Sequence, residues 1–401
     1  MAKAAKALVK KELLIWARTS AGFQTVEEAA AAAGKLSPAK LTKWESGETL
    51  PSVPQLRKLA AAYKRPLAVF YLDEVPQGFM ALRDLRRLPG VEMRRMSPSL
   101  LLEIRRAAQR RALALELLEE IGEKPAAFQL AARLGDDPDA VAVRIRDALR
   151  ITIDIQQEWN DSRTSWNSWR MAVESLGVLV FQATRIESEE ASGFAIADDV
   201  VPVIVVNRRD PVTRRTFSLL HEFVHLMVRI SSVSDLSDRF LDDPRPPEDQ
   251  AIEVFCNAVA AAVLIPRANF LAQPLLGRYP GVSTNWADDH IAVLAQLYGV
   301  SREAVVRRLL TLGRTTSDFY IKKRNQYIDE YRQRRAEELQ KAKKNMKRNM
   351  PRETVSTLGT PLVNLILSNY HSERLSISEV SGYLDVKTKH IPKIEEILKI
   401  R

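Results

Sequence analysis

The pentapeptide HEFVH at positions 221 to 225 constrains this chain more than any other feature. On a helix, the H-E-x-x-H spacing puts two imidazoles four residues apart on one face, close enough to grip a single zinc ion, with a carboxylate beside them. The chain has five histidines in 401 residues, and two of them fall in this one string. Plain packing can also place two histidines and a glutamate on a helix, so the flanking residues decide. In TFSLLHEFVHLMVRI, Phe217, Leu220, Val224 and Leu226 to Val228 recur at helical spacing, which predicts a buried helix around the motif. Upstream, VVPVIVVN at 200–207 is a short β-branched run that reads as a strand. A strand leading into a metal-binding helix suits a peptide laid along a sheet edge next to the ion.

A catalytic zinc takes a third protein ligand and keeps one position open for water. The best local candidate is Glu253, in AIEVFCNAVAAAVLIP at 251–266, where Glu253, Asn257 and Ala260 share one helical face. A lone carboxylate in such an Ala-rich stretch is costly to bury unless a cation meets it. Glu248 and Asp249 compete, but they end the Pro-rich DDPRPPED and read as a solvated loop entering the helix. Asn257, one turn after Glu253, is placed to orient it by a hydrogen bond, with ordinary helix packing as the equal alternative. Cys256 reads as a small buried hydrophobe rather than a ligand. As the single cysteine it excludes an intrachain disulfide and points to a reducing compartment.

HEFVH, the E-x-x-C-N of Glu253 to Asn257 and the ending AAAVLIP, in this order, resemble the ImmA/IrrE family of zinc metallopeptidases. The stretch SGFAIADDVVPVIVVN resembles that family's strand region. The resemblance implies a zincin-like domain with a small sheet, one Zn2+ held by His221, His225 and Glu253, and Glu222 as the general base. In that role Glu222 takes a proton from water and passes it to the leaving amine, without itself binding metal. No residue stands out as the donor for an oxyanion.

A net charge of +10 and a pI near 9.6 make nucleic acid a candidate partner, and the distribution of that charge matters more than its sum. The first 75 residues are one concentration. LVKKELLIWARTSAG predicts an amphipathic helix, followed by a helix, a turn at Gly34, a helix opening at Ser37 and an exit at Gly47. Ser37 suits an N-cap with Pro38 at the first helical position, and Leu41 and Trp44 face the core while Lys40 and Lys43 face outward. The W-E-S-G-x-x-x-P string resembles the Xre-type helix-turn-helix of phage repressors and many antitoxins, and VPQLRKLAAAYKRPLAVFYLDEVP resembles its last two helices. By that resemblance the helix from Ser37 to Glu45 enters the major groove of an operator, with Ser37, Pro38, Ala39 and Lys43 nearest the bases and Ser37, Lys40 and Lys43 as the candidate DNA contacts. Pro38 and Ala39 offer no side-chain hydrogen bond to bases, and Lys35 lengthens the turn by one residue. Weak sequence discrimination or a protein-contact role is the alternative for this domain.

The rest of the chain reads as mostly helical. SPSLLLEIRRAAQRRALALELLEEIG predicts a long helix whose Arg105, Arg106, Arg110 and Arg111 form a solvated face. DDPDAVAVRIRDALRI at 136–151 is a capped helix, and Trp159, Trp166 and Trp169 form core. DDHIAVLAQLYGVSREAVVRRLLTLG at 288–313 is helix, turn at Gly299 and helix capped by Ser301, with His290 on the surface. Residues 314–352 are a second basic run, read as an exposed helix, and a small bundle capped at Ser376 or Ser378 follows.

The expected fold is α+β, predominantly α: a five-helix Xre-type domain at 1–76, a helical connector at 77–150, a zincin-like peptidase at 151–313 and a helical tail at 314–401. No run of about twenty apolar residues and no signal-type start is present, which predicts a cytoplasmic protein with no membrane contact. The expected partners are operator DNA and a protein, either a substrate such as a repressor or a cognate toxin, with homodimerisation also in view. The two function classes that follow are a DNA-binding regulator with a zinc endopeptidase, and a DNA-binding antitoxin that neutralises a nuclease toxin of the PIN type while zinc is mainly structural.

Overall fold

The computed structural model describes residues 5–34, 36–76, 83–84, 96–159, 161–234, 247–341 and 349–399. The turn residue Lys35, most of FMALRDLRRLPG, the start of DDPRPPED and residues 342–348 of the basic run lie outside them. The chain divides into two compact units, residues 1–81 with 91–109, and residues 82–90 with 110–401.

The first unit opens with α1 (Lys11–Ser20), α2 (Val26–Ala32), α3 (Pro38–Glu45), α4 (Val53–Ala62) and a 3-10 turn at Leu67–Tyr71, five helical segments in all. Thr25 and Glu28 form a reciprocal capping box at the start of α2. Leu14, Ala30, Leu41, Trp44, Leu56, Tyr63 and Phe70 share one core. Inside it Arg18 pairs with Glu45 at 2.9 Å and donates to the carbonyls of Phe23 and Gln24, tying α1 to α3 and to the turn ahead of α2. Ser37 has the extended backbone of an N-cap, and Pro38 opens α3, but the Ser37 side chain makes no capping bond. Ser37, Lys40 and Lys43 are exposed, and Lys43 Nζ lies 2.6 Å from Glu48 Oε1.

Helix α5 (Pro98–Glu120) does not present its arginines as a solvated face. Arg105 is buried and donates to the carbonyls of Ser20 and Lys64. Arg111 donates to Val200 and Val201 carbonyls and pairs with Asp198 at 3.1 Å, and Arg110 lies over the Phe181 ring. A guanidinium on a half-buried helix finds carbonyls where its five donors are otherwise left in an apolar setting, which hydrophobic periodicity does not reveal.

The second unit continues with α6 (Pro138–Leu149), α7 (Ile153–Gln157) and α8 (Ser162–Glu174), then β2 (Leu179–Ala183), β3 (Gly193–Ile196), β4 (Val203–Asn207), α9 (Val212–Met227), β5 (Ser232–Ser234) and α10 (Pro247–Leu264). With β1 (Arg83–Asp84) the strands form one sheet in the order β1-β5-β3-β4-β2. β2 pairs parallel with β4, β3 pairs antiparallel with both β4 and β5, and β1 runs parallel to β5. The strand read at 200–207 begins at Val203 and has a partner on each side. It therefore has no free edge for a peptide. A continuous apolar run is the pattern of a strand buried on both faces, which fits this interior position.

α9 and α10 pack on one another and, with Trp166, Trp169 and α6, form the main core. α10 begins at Pro247, so Glu248 and Asp249 belong to its first turn, and Asp249 is buried rather than solvated. Short helices α11 (Arg267–Leu271) and α12 (Pro274–Gly277) lead to α13 (Asp288–Tyr298) and α14 (Arg302–Thr311). Gly299 turns between them with φ +66°, and the Ser301 side chain caps α14 by accepting from the Ala304 N–H. His290 is half-buried, its Nδ1 2.7 Å from the Tyr279 hydroxyl. The N-terminal half of α15 (Ser317–Lys341) is not a bare charged helix: Phe319, Tyr320 and Tyr327 are buried, and Tyr327 donates to Asp288. Helices α16 (Met350–Leu358), α17 (Thr360–His371), α18 (Ile377–Tyr383) and α19 (Ile391–Leu398) complete the chain, with Ser376 and Glu379 forming the capping box of α18. α16 packs against β2, where Arg170 and Gln182 both donate to the Ser356 carbonyl.

Candidate metal centre

Two buried helices bring the centre together. α9 supplies His221, Glu222 and His225, whose exposures are 0 %, 1 % and 0 %, and α10 supplies Glu253 at 2 %. His221 Nε2 and His225 Nε2 stand 3.0 Å apart, Glu253 Oε1 is 3.2 Å from His225 Nε2, and Glu253 Oε2 is 3.5 Å from His221 Nε2. Ligands at about 2.0–2.1 Å from a tetrahedral zinc are about 3.3 Å from one another, so these separations bracket the spacing that such an ion imposes. Among the described residues this is the single group of three or more His, Cys, Asp or Glu side chains with metal-ligand spacing.

The protonation pattern suits a cation. Burial pushes the His225 pKa down, which favours the neutral imidazole that a metal needs. For Glu253 burial alone would raise the pKa, and the adjacent His221 and His225 more than reverse that, holding the carboxyl well below its usual range. Cys256 is fully buried, and burial followed by the charges of Glu253 and Glu222 raises its thiol pKa well above normal. A thiol held protonated in this way is a poor ligand.

Asn257 is drawn in differently from the expectation. Its Oδ1 lies 3.1 Å from His221 Nδ1, on the neighbouring helix, where it accepts a hydrogen bond from that nitrogen. The contact leaves Nε2 of His221 as the lone-pair nitrogen facing Glu253.

Two further features are not apparent from the motifs alone. The C-terminus of α10 is closed by buried side chains from elsewhere: Arg146 donates to the Val263 carbonyl at 2.7 Å, Gln156 to Leu264 at 2.9 Å and Arg308 to Ile265 at 3.0 Å. These are carbonyls with no partner inside their own helix, and two positive charges also face the negative end of its dipole. Nothing local marks Gln156 or Arg308 for this role. The other feature is Gly193 in β3, where a Cβ would come 3.1 Å from Glu222 Oε1. An isolated glycine inside a strand signals close approach of another group, and SGFAI carries that signal.

Comparison with known families agrees with this geometry. Residues 173–310, from the end of α8 to α14, match a peptidase family model described as the IrrE N-terminal-like domain. Residues 14–70 match a helix-turn-helix model. No curated protein matches the chain. The fold is α+β and mainly α, and in one polypeptide an Xre-type helix-turn-helix domain precedes an IrrE N-terminal-like peptidase domain built around the HEFVH helix.

Proposed function

We propose that the chain is a DNA-binding regulator whose second unit is a zinc-dependent endopeptidase acting on another regulatory protein, such as a repressor. The observation that carries this reading is the converging set of His221, His225 and Glu253 with Glu222 beside it on the same helix as the histidines. Bound there, zinc supplies Lewis acidity and lowers the pKa of a water. His221, oriented by Asn257, His225 and Glu253 would hold the ion, and Glu222 would take a proton from water and return it to the leaving amine. A purely structural zinc has no use for Glu222. In the first unit, exposed Ser37, Lys40 and Lys43 on and before α3 face the operator.

One observation favours the second reading, an antitoxin whose zinc braces the fold while the chain neutralises a nuclease toxin. The three ligands are almost fully enclosed, as in a structural site. Replacing Glu222 by Gln separates the two. Wild type and Glu222→Gln are expressed in cells that encode the protein, and new protein N-termini are mapped by mass spectrometry. The peptidase reading expects a cleaved regulator whose new N-terminus falls by about 10²-fold or more in the variant, at equal zinc content. Identical N-terminal profiles would leave the antitoxin reading standing alone.

A further inference from the structure

Gly193 occupies the interior of the sheet in β3, paired with Val206 on one side and Ser234 on the other. Glycine inside a strand is a disfavoured choice, and its ordinary justification is a positive φ. Gly193 is not among the glycines of positive φ. Its justification is space. A Cβ built there would lie 2.8 Å from the Val205 carbonyl, 3.1 Å from Glu222 Oε1 and 3.2 Å from Glu222 Cγ. Two residues on, Ala195 lies on the same face and belongs to the core that Leu219, Leu220 and Phe223 of α9 enter. Along this face of β3 the side chain shrinks from a methyl group at Ala195 to nothing at Gly193, where the α9 carboxylate takes its place.

We infer that Gly193 is a positioning residue for Glu222: the missing side chain opens a slot in the sheet in which the carboxylate is held beside the metal ligands. This rests on Glu222 being the base of the proposed peptidase. The slot is flanked by the Val205 carbonyl of β4, a backbone atom that cannot rotate away. A methyl group at 193 would meet the Val205 carbonyl and the Glu222 side chain, and none of its three nearest contacts is with His221, His225 or Glu253.

The test uses the full-length, zinc-loaded chain and acetohydroxamate, a small bidentate zinc ligand that also hydrogen-bonds to a neighbouring base. Affinity for this probe, zinc equivalents per chain and Tm are measured for wild type, Gly193→Ala, Glu222→Gln and the double variant. Gly193→Ala is expected to weaken acetohydroxamate binding about tenfold with zinc content unchanged, and to add nothing further in the Glu222→Gln background. If Glu222→Gln alone leaves the affinity unchanged, the base assignment fails. If Glu222→Gln weakens binding and Gly193→Ala does not, the inference about Gly193 is overturned while the base assignment survives. Should Gly193→Ala unfold or lose zinc, it is repeated with Glu222→Asp, whose shorter side chain makes room for the methyl. Recovery of zinc and Tm there supports the slot. An undiminished defect places the clash at Val205 and overturns it.

Discussion

The 3.1 Å contact between Asn257 Oδ1 and His221 Nδ1 fixes which ring nitrogen faces Glu253. A histidine free to choose its tautomer and rotation presents the wrong nitrogen part of the time, and the outer partner removes that freedom. Asn257→Leu keeps the side-chain size and removes the acceptor. Its zinc affinity, read by competition with a chromophoric chelator, is expected to fall about 10–100-fold. An unchanged affinity would reduce Asn257 to packing. His221, Glu222 and His225 are legible in the sequence because four-residue spacing on one helix is local information. Glu253 is legible by a weaker argument, the cost of burying a lone carboxylate in an Ala-rich helix. The partner of Asn257 is not, because spacing within α10 points to Glu253 whereas the actual contact crosses to α9.

α10 holds Glu253 in place, and its C-terminal carbonyls are satisfied by Arg146, Gln156 and Arg308 from three other helices. Gln156 also donates to the Tyr298 carbonyl at 2.9 Å, so removing its amide orphans two buried acceptors at once. Gln156→Ala is expected to cost about 2–6 kcal/mol, at roughly 1–3 kcal/mol for each acceptor left unsatisfied. Thermal unfolding against the exposed Gln129→Ala as control reads this directly, and equal Tm values for the two would contradict it. At α3, Lys40 and Lys43 are exposed, and the Glu48 partner of Lys43 is a surface pair of small worth. Replacing both lysines by Ala is expected to lower the slope of log affinity for operator DNA against log salt by about 0.9 for each phosphate that a lysine no longer neutralises. A slope equal to wild type would remove α3 from the DNA interface. Helix limits are largely legible from caps such as Asp137, Ser301 and Ser376, since capping is local chemistry. The interior position of β4 is not, because it depends on β2 pairing with β4 rather than with β3, its neighbour in sequence.

At the scale of the whole molecule, residues 110–401 belong to one compact unit in which the last helices are not a detached tail. Ser356 of α16 receives bonds from Arg170 and Gln182, and Arg170 is itself paired with Glu174 at 2.9 Å in a buried setting. Charge and periodicity neither single out α16 nor name the strand it covers. On the proposed function, His221, His225 and Glu253 would hold one zinc ion per chain. Elemental analysis of the purified protein, with thermal unfolding before and after chelation, tests it most directly. The wild type is expected to carry about one zinc per chain, to lose Tm on chelation and regain it with added zinc, and to lose bound zinc in His225→Ala and Glu253→Ala. A wild type that binds no zinc, or a full equivalent retained in both variants, would contradict it.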